Sequence, residues 1–371
     1  MISRMPVLRI TLAASAVALV AGCAILQGAR VVEVGTHRYR ITPFAEEAWR
    51  GVHICMSNRS ELPWLHRAIT EVFAAKGVNT IVLEVDYAFD YASHPELSAK
   101  PAMTKADARE LVALCRAHGI RLIPQFQCFG HQGARPNLLL TNYPELMVPR
   151  VPDYDDPAFY SLSWNPLDPK TNEIVFALFD ELIDAFQPEA FHVGLDEVML
   201  FPDESTPYYH GETHAEVFAR VVNDLHGHLV KEKGLTMLMW GDRLLDDEAM
   251  QYGPFESSQN GTWPAIDMIP KDIIVCDWHY LRRKGYPSVR HFQEKGFRVI
   301  PGGWKSPSAA VALIECAQRD ATDRMLGYLC TSWSGTELYC KALLGETLPD
   351  SRRNTVNAAK TFHAVADVWA P

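Results

Sequence analysis

The stretch that decides the fold is Phe191-His192-Val193-Gly194-Leu195-Asp196-Glu197, in which an apolar run ends abruptly at two adjacent acids. A short apolar run with this kind of ending is typical of a buried strand. Successive side chains on a strand point to opposite sides, so the two carboxylates need a bend to face one substrate, and Gly194 can supply it. The alternative is an acidic pair that only caps a helix.

Seven further apolar runs occur along the chain, and helix-like patterns separate them. They are nearly continuous in apolar residues rather than alternating, which is typical of barrel strands that helices cover on one face. The eight predicted strands are residues 52–57, 80–87, 121–127, 191–194, 236–240, 273–278, 298–301 and 326–332. Eight such units predict an α/β fold, a single (β/α)8 TIM barrel.

No linker or internal repeat divides this array, so residues 46–371 are predicted to form one barrel with a covering helix over 351–369. Residues 23–45 are predicted to be a tether. The connection over 128–169, between strands three and four, contains seven prolines and is predicted to be a long structured loop. Because it leaves the carboxyl end of strand three, it should overhang the mouth of the site.

The first 23 residues have the basic, apolar and small-residue regions of an export signal. Their ending, Val-Ala-Gly-Cys, resembles the lipobox of bacterial lipoproteins. The resemblance implies that residues 1–22 are a signal peptide and that Cys23 carries lipid, so that the chain is held on a membrane of the bacterial cell envelope, facing the periplasm or the exterior. An ordinary cleaved signal and an uncleaved membrane anchor are the alternatives.

The composition predicts a globular domain with a large core, because 48% of the residues are hydrophobic and 22% are charged. The net charge of −10 and the lack of a Lys/Arg cluster argue against nucleic acid and leave small neutral substrates as partners. The cysteines after Cys23 lack the paired spacing of a zinc site, so no metal and no cofactor are predicted. The oligomeric state stays open.

Four tryptophans fall at or near the ends of predicted strands five to eight. Any one of them is more often a core residue than a ligand contact. Four at one level of a barrel instead favour a wall for the flat faces of sugar rings, which would also exclude water. These four residues are Trp240, Trp278, Trp304 and Trp333.

The pattern His-x-Gly-x-Asp-Glu at residues 192–197 resembles the catalytic signature of family 20 glycoside hydrolases, the β-N-acetylhexosaminidases. Residues 122–131, which end in Gly-His, are similar to the strand-three segment of the family and especially to its hexosaminidase D branch. Residues 50–53 and 333–337 resemble the family's first and eighth strands. The resemblance implies a TIM-barrel enzyme that removes terminal N-acetylglucosamine or N-acetylgalactosamine from a carbohydrate.

The sugar contacts that the resemblance implies include His131 at the end of strand three, and others depart from the family pattern. Cys55 holds the position of a family Asp, and Arg59, the implied sugar-binding arginine, comes one residue late. Glu337 comes two residues away from the position expected for the strand-eight acid. The tyrosine that binds the acetamido group is expected after strand seven, where Trp304 stands instead. Strand three also has amides where acids are common, at Gln125 and Gln127.

The lack of an acid in strand seven favours a mechanism in which the substrate takes part. A retaining glycosidase of the common kind needs a second carboxylate as nucleophile, but residues 299–304 carry none. Attack by the sugar's own 2-acetamido oxygen is then favoured, with Glu197 as general acid and base and Asp196 orienting the acetamide. His192 and His131 are candidate partners of this pair. Asp242, after strand five, either binds a sugar hydroxyl or caps the following helix.

Two other functions compete with a hexosaminidase. One is a glycan-binding lipoprotein that has the fold but no activity, and the altered sugar contacts favour it. The adjacent acids argue against it, because a binder gains nothing from a protonated carboxyl group. The other is a barrel glycosidase whose second carboxylate is Asp86, Asp242 or Asp277.

Overall fold

The computed structural model describes residues 28–133, 137–149 and 162–369. Residues 1–22 and Cys23 lie outside these ranges. The barrel strands are β3 (Trp49–Cys55), β4 (Thr80–Glu84), β5 (Arg121–Cys128), β6 (Ala190–Gly194), β7 (Thr236–Trp240), β8 (Ile274–Trp278), β9 (Arg298–Gly303) and β10 (Gly327–Cys330). Within the described ranges these eight parallel strands close a barrel in chain order, with β10 pairing β3. The predicted (β/α)8 TIM barrel is confirmed.

The helices follow the strands and cover the outside of the barrel. They begin where the sequence provides caps; Thr104, for example, accepts from the Asp107 backbone N–H and completes a capping box, as its sequence predicts. The α-helices are α1 (Leu62–Ala68), α2 (Lys105–Ala117), α3 (Leu138–Asn142), α4 (Pro169–Phe186), α5 (His214–His226), α6 (Asp247–Met250), α7 (Pro287–Glu294), α8 (Pro307–Arg319), α9 (Thr336–Leu343) and α10 (Arg353–Trp369).

The core has two layers, because alternate residues of each strand point to opposite faces. Ile81 and Leu83 of β4 pack against the helices in the larger cluster. Val82, between them, belongs to a smaller cluster that fills the barrel interior together with Trp240 and Trp278. The barrel interior is therefore filled with side chains, so a pocket can form only above it, at the carboxyl ends of the strands.

An antiparallel hairpin precedes the barrel, in the segment that the sequence analysis treats as a tether. Its strands are β1 (Arg30–Val34) and β2 (His37–Ile41). The Tyr39 hydroxyl donates to the Ser308 carbonyl oxygen on α8, and Ile41 is fully buried. The hairpin is thus packed on the domain, and its many charged residues explain why the sequence pattern did not indicate it. No helix in the described ranges is long and apolar enough to cross a membrane.

The pairing of β5 with β6 is irregular at the end that faces the site. Gln125 pairs with His192 and Cys128 with Gly194, so three steps along β5 match two along β6. A bulge of this kind bends a strand and re-aims its side chains. It carries β5 into the long connection to α4, of which the structure describes residues 129–133, 137–149 and 162–168.

Candidate active site

A cavity of about 400 Å³ opens at the carboxyl ends of the strands. Acids, a histidine and aromatic side chains from several strand ends surround it, which is the usual place for the site of a barrel enzyme. Its described lining consists of His131, Asp196, Glu197, residues 252–256, Trp278, Tyr280, Leu281, Trp304 and Trp333.

Asp196 and Glu197 reach this cavity because the chain bends sharply after β6. The φ angles are 67° at Gly194, 73° at Leu195 and 47° at Glu197, all in the left-handed region. Only glycine adopts that region without cost, and a Cβ on Gly194 would lie 2.1 Å from Gln127 Oε1. The bend that the sequence assigns to Gly194 is present, and both carboxylates face the cavity.

Asp196 is almost completely buried, and one of its oxygens is held by an amide. Gln127 Nε2 donates to Asp196 Oδ1 at 2.8 Å. Burial raises the pKa of Asp196 above the usual range of a carboxyl group; the nearby charge of His131 opposes the rise, and those of Asp242 and Glu197 add to it. The amide nitrogen of Gln127 can only donate a hydrogen bond, so this oxygen of Asp196 is the acceptor.

His131 lies between the two acids. Its Nε2 is 3.0 Å from Glu197 Oε2 and 3.8 Å from Asp196 Oδ2. Burial lowers the pKa of His131, but the charge of Asp196 and the hydrogen bond to Glu197 outweigh it and raise the pKa to about 9. At neutral pH the site therefore holds a proton within hydrogen-bond reach of Glu197.

Trp278, Tyr280, Trp304 and Trp333 form one wall of the cavity. The ring centroids of Trp278 and Tyr280 are 4.7 Å apart, and those of Tyr280 and Trp304 are 5.3 Å apart. Trp333 Nε1 donates to the Tyr280 hydroxyl. Trp304 Nε1 is buried without a hydrogen-bond partner among the described residues.

Tyr280 is a site residue that the sequence analysis missed. A tyrosine was expected after strand seven, whereas the structure places one after strand six, two residues beyond Trp278. Burial raises the pKa of Tyr280 well above its ordinary value, so the hydroxyl keeps its proton. The sequence contained a signal for this residue, because Tyr280 comes two residues after Trp278, the last residue of the strand.

Trp240 lies below the cavity rather than in its wall. It is fully buried in the barrel interior, where its ring lies 4.6 Å from that of His192 and 5.7 Å from that of Trp333. Trp240 is the last residue of β7, and its side chain packs in the interior cluster of the barrel. His192 is buried there too, and its Nδ1 accepts from the Gly194 backbone N–H, so it supports the bend.

Arg59 and Glu337, implied as sugar contacts, lie away from the cavity. Arg59 pairs with Asp107 at 2.7 Å on a solvent-exposed face, and Glu337 pairs with Lys341 at 2.6 Å along α9. Each falls within a helical turn that follows its strand, which explains why a shift of one or two residues along the chain takes the side chain out of the site. The structure therefore corrects both assignments.

Two groups of side chains in the described ranges bring three potential metal-ligand atoms within 4.8 Å of one another. One is the trio of His131, Asp196 and Glu197. Its atoms already form a close group of ionisable side chains at the cavity. The other is His53, Cys55 and Glu84 in the barrel, where Gln125 Nε2 donates to Glu84. The absence of a metal stays a prediction.

The fold and the site together define a (β/α)8 barrel protein with paired carboxylates in an aromatic pocket. Residues 78–343 match the catalytic domain of glycosyl hydrolase family 20. The chain belongs to this family.

Known proteins agree with this assignment. The chain is 25% identical to a β-hexosaminidase of Emericella nidulans over 227 residues, 56% of this chain and 34% of the relative. It is 23% identical to hexosaminidase D of Homo sapiens over 314 residues, 76% of this chain and 58% of the relative. The first curated relatives are thus covered over about a third to three fifths of their length.

Solved structures share the fold. A chitobiase of Flavobacterium johnsoniae superimposes with a TM-score of 0.60 at 18% identity, over 90% of this chain and 52% of that one. An exo-β-N-acetylglucosaminidase of Vibrio harveyi does so with a TM-score of 0.57 at 15% identity, over 92% and 58%. At these identities the likeness supports the barrel and not a particular substrate.

Proposed function

We propose that this chain is an exo-acting β-N-acetylhexosaminidase that uses a substrate-assisted, retaining mechanism. One observation carries the proposal: Asp196 and Glu197 converge on one apolar, aromatic-lined cavity, with His131 between them. Membership in family 20 and the named activities of the relatives support it. A pocket at the end of a barrel suits one terminal sugar, which is what exo action requires.

In the first step Glu197 donates its proton to the glycosidic oxygen while the 2-acetamido oxygen of the sugar attacks the anomeric carbon. The bond to the leaving alcohol breaks, and a cyclic oxazolinium forms on the sugar. Positive charge develops on the acetamide nitrogen, whose N–H the Asp196 carboxylate accepts and stabilises. In the second step Glu197 takes a proton from water, which opens the ring with net retention.

The surroundings of the other acids favour this mechanism over a protein nucleophile. β9 ends at Gly303 without a carboxylate. Asp277 accepts from Ser288 of α7 and lies 3.1 Å from His279, and it is not among the described lining residues of the cavity. Asp242 is likewise buried in contacts with protein groups. Asp86 accepts from the Gln127 backbone N–H.

The aromatic wall supplies contacts to the sugar itself. Indole faces suit the apolar face of a pyranose, and three of the four predicted tryptophans line the cavity. The Tyr280 hydroxyl accepts from Trp333 Nε1 and also hydrogen-bonds Thr331, so we propose that its proton turns from Thr331 to the acetamide carbonyl when the sugar binds. That hydrogen bond would hold the acetamide oxygen in place for its attack.

The assay that tests the function uses the full-length protein on matched aryl glycosides of N-acetylglucosamine, N-acetylgalactosamine and glucose. The expected result is turnover of one or both N-acetyl sugars and little of the glucoside. Turnover of the glucoside alone would favour a glycosidase with a second protein carboxylate. Saturable binding of N-acetylglucosamine without any turnover would favour a glycan-binding protein.

We also propose that Cys23 carries lipid and holds the chain on a bacterial envelope membrane, on the pattern of residues 1–23 alone. Two lipid signals are needed for stable anchoring, and a lipidated amino-terminal cysteine provides more than one acyl chain. Growth with a labelled fatty acid should give a labelled wild-type protein. The Cys23→Ser variant should lose the label, and retention of normal labelling would contradict the proposal.

A further inference from the structure

Asp242 lies directly behind the catalytic pair, and both of its oxygens are occupied by protein donors. The Glu197 backbone N–H donates to Asp242 Oδ2 at 2.8 Å, and Trp278 Nε1 donates to Oδ1 at 3.0 Å. Arg243 Nε also donates to Oδ2, at 2.8 Å. Asp242 is 2% exposed, so the structure does not support its prediction as a sugar-hydroxyl ligand.

The contact to Glu197 holds a strained part of the backbone. Glu197 has a φ of 47°. A residue other than glycine keeps left-handed backbone angles only when its surroundings impose them. The hydrogen bond from its N–H to a buried carboxylate is such a constraint, and it fixes the direction in which the Glu197 side chain enters the cavity.

The Asp242 carboxylate also positions the aromatic wall of the cavity. Its other oxygen fixes the Trp278 indole, whose ring lines the cavity. Through Arg243 it reaches a third part of the lining, because the fully buried guanidinium donates from Nη2 to the carbonyl oxygens of Pro254, Phe255 and Ser257, at 2.7, 2.9 and 2.6 Å. Glu197, the aromatic wall at Trp278 and the lining segment held by Arg243 are therefore all connected to the side chain of Asp242.

We propose that Asp242 is a positioning residue that sets the proton donor Glu197 and the sugar-binding wall at Trp278 in one geometry. This inference rests on the proposed hexosaminidase function. A misplacement of about 1 Å at a catalytic group can cost about 10²-fold in rate. The loss of Asp242 therefore affects proton donation and sugar binding together, although the residue touches neither substrate nor the reacting atoms.

The test compares Asp242→Asn with Trp278→Phe on two aryl N-acetylglucosaminides whose leaving groups differ in pKa. The amide of Asp242→Asn has one acceptor where the carboxylate had two, so it cannot satisfy both Glu197 and Trp278. It should lower kcat about 10²-fold on the poor leaving group and less on the good one, and it should also raise KM. Trp278→Phe should raise KM and leave the dependence of kcat on the leaving group unchanged.

A second measurement does not depend on turnover. Amide hydrogen exchange at Glu197 should be faster in Asp242→Asn than in the wild type and unchanged in Trp278→Phe. Asp107→Asn is the matched control, since it removes an acid that caps α2 and is not among the described lining residues of the cavity, and it should keep kcat and KM. If Asp242→Asn does not fold, Arg243→Lys keeps the Asp242 charge and should raise KM alone.

The outcomes separate the two proposals. An inactive wild type in which Asp242→Asn still speeds exchange at Glu197 would refute the hexosaminidase function and leave the positioning role standing. An active wild type with unaltered kcat, KM and exchange in Asp242→Asn would refute the positioning role alone. A kcat loss of Asp242→Asn that is equal for both leaving groups, or a lowered kcat in Arg243→Lys, would also overturn it.

Discussion

At the residue scale, the site works because three ionisable groups share a small buried volume. Asp196 is a hydrogen-bond acceptor, and its burial disfavours its negative charge. His131 supplies positive charge beside both acids. Neighbouring groups whose environments push their pKa values apart are the usual basis of acid and base roles. The charge of His131 is therefore part of the catalytic design that we propose.

His131→Gln should shift the acid limb of the pH profile. The raised pKa of His131 keeps it protonated below about pH 9, and its charge lowers the pKa of Asp196. Removal of that charge raises the pKa of Asp196 further, so the carboxylate form is reached only at higher pH. The acid limb of kcat/KM should move to higher pH in the variant. An unchanged limb, or a move to lower pH, would contradict this assignment.

Gly194→Ala tests the bend that brings the acids together. The positive φ should cost about 1–2 kcal/mol of stability, and the new methyl would displace Gln127, the partner of Asp196. Gly119→Ala is a matched control, since Gly119 has a φ of 68° with open space around it. Gly194→Ala should lose more stability than Gly119→Ala by thermal unfolding, because its methyl also clashes with Gln127, and only Gly194→Ala should lose activity. Equal activities would show that the bend is not needed.

The placement of Asp196 and Glu197 at the cavity could be predicted from the sequence because all of its determinants are local. An apolar run, a glycine and two acids stand next to one another at residues 191–197. The partners of the pair could not be predicted, since Gln127 and Asp242 are 69 and 45 residues from the residues that they contact. Their roles depend on which strand ends become neighbours, and on burial that a linear pattern does not contain.

At the scale of the elements, strand ends decide which side chains reach the cavity. The sequence placed four tryptophans at one level, and the structure separates them into two layers. Trp278, Trp304 and Trp333 line the cavity, and Trp278 also packs on the interior cluster, while Trp240 lies in that cluster without lining the cavity. A strand end is known from sequence only to within a few residues, and two residues along a strand move an inward-facing side chain by about 6–7 Å toward or away from the mouth.

Two alanine variants distinguish these layers. Trp240→Ala opens a hole in the barrel interior and should cost about 3–5 kcal/mol of unfolding free energy. Trp304→Ala removes a partly exposed wall residue, so it should raise KM while changing stability much less. Thermal unfolding and steady-state kinetics on one aryl N-acetylglucosaminide measure both effects. A larger stability loss in Trp304→Ala than in Trp240→Ala would show that the layers are assigned wrongly.

At the scale of the whole molecule, the barrel could be predicted because eight apolar runs alternate with helix-like patterns along the chain. The hairpin β1 and β2 could not, because it buries few residues and belongs to no repeat of the pattern. The barrel also explains why residues far apart in sequence form one site. Groups from the ends of β5, β6, β8 and β9 meet at one mouth, where small sequence changes alter the lining and preserve the scaffold.

The most direct test of the central claim compares Glu197→Gln with Asp196→Asn on substrates of graded leaving-group ability. Glu197→Gln lacks the proton donor, so it should lose about 10²- to 10⁴-fold in rate on poor leaving groups and distinctly less on activated nitrophenyl substrates. Asp196→Asn should lose rate on both alike and should bind a thiazoline mimic of the cyclised intermediate more weakly. Equal losses that do not depend on the leaving group in both variants would contradict the division of roles between Glu197 and Asp196.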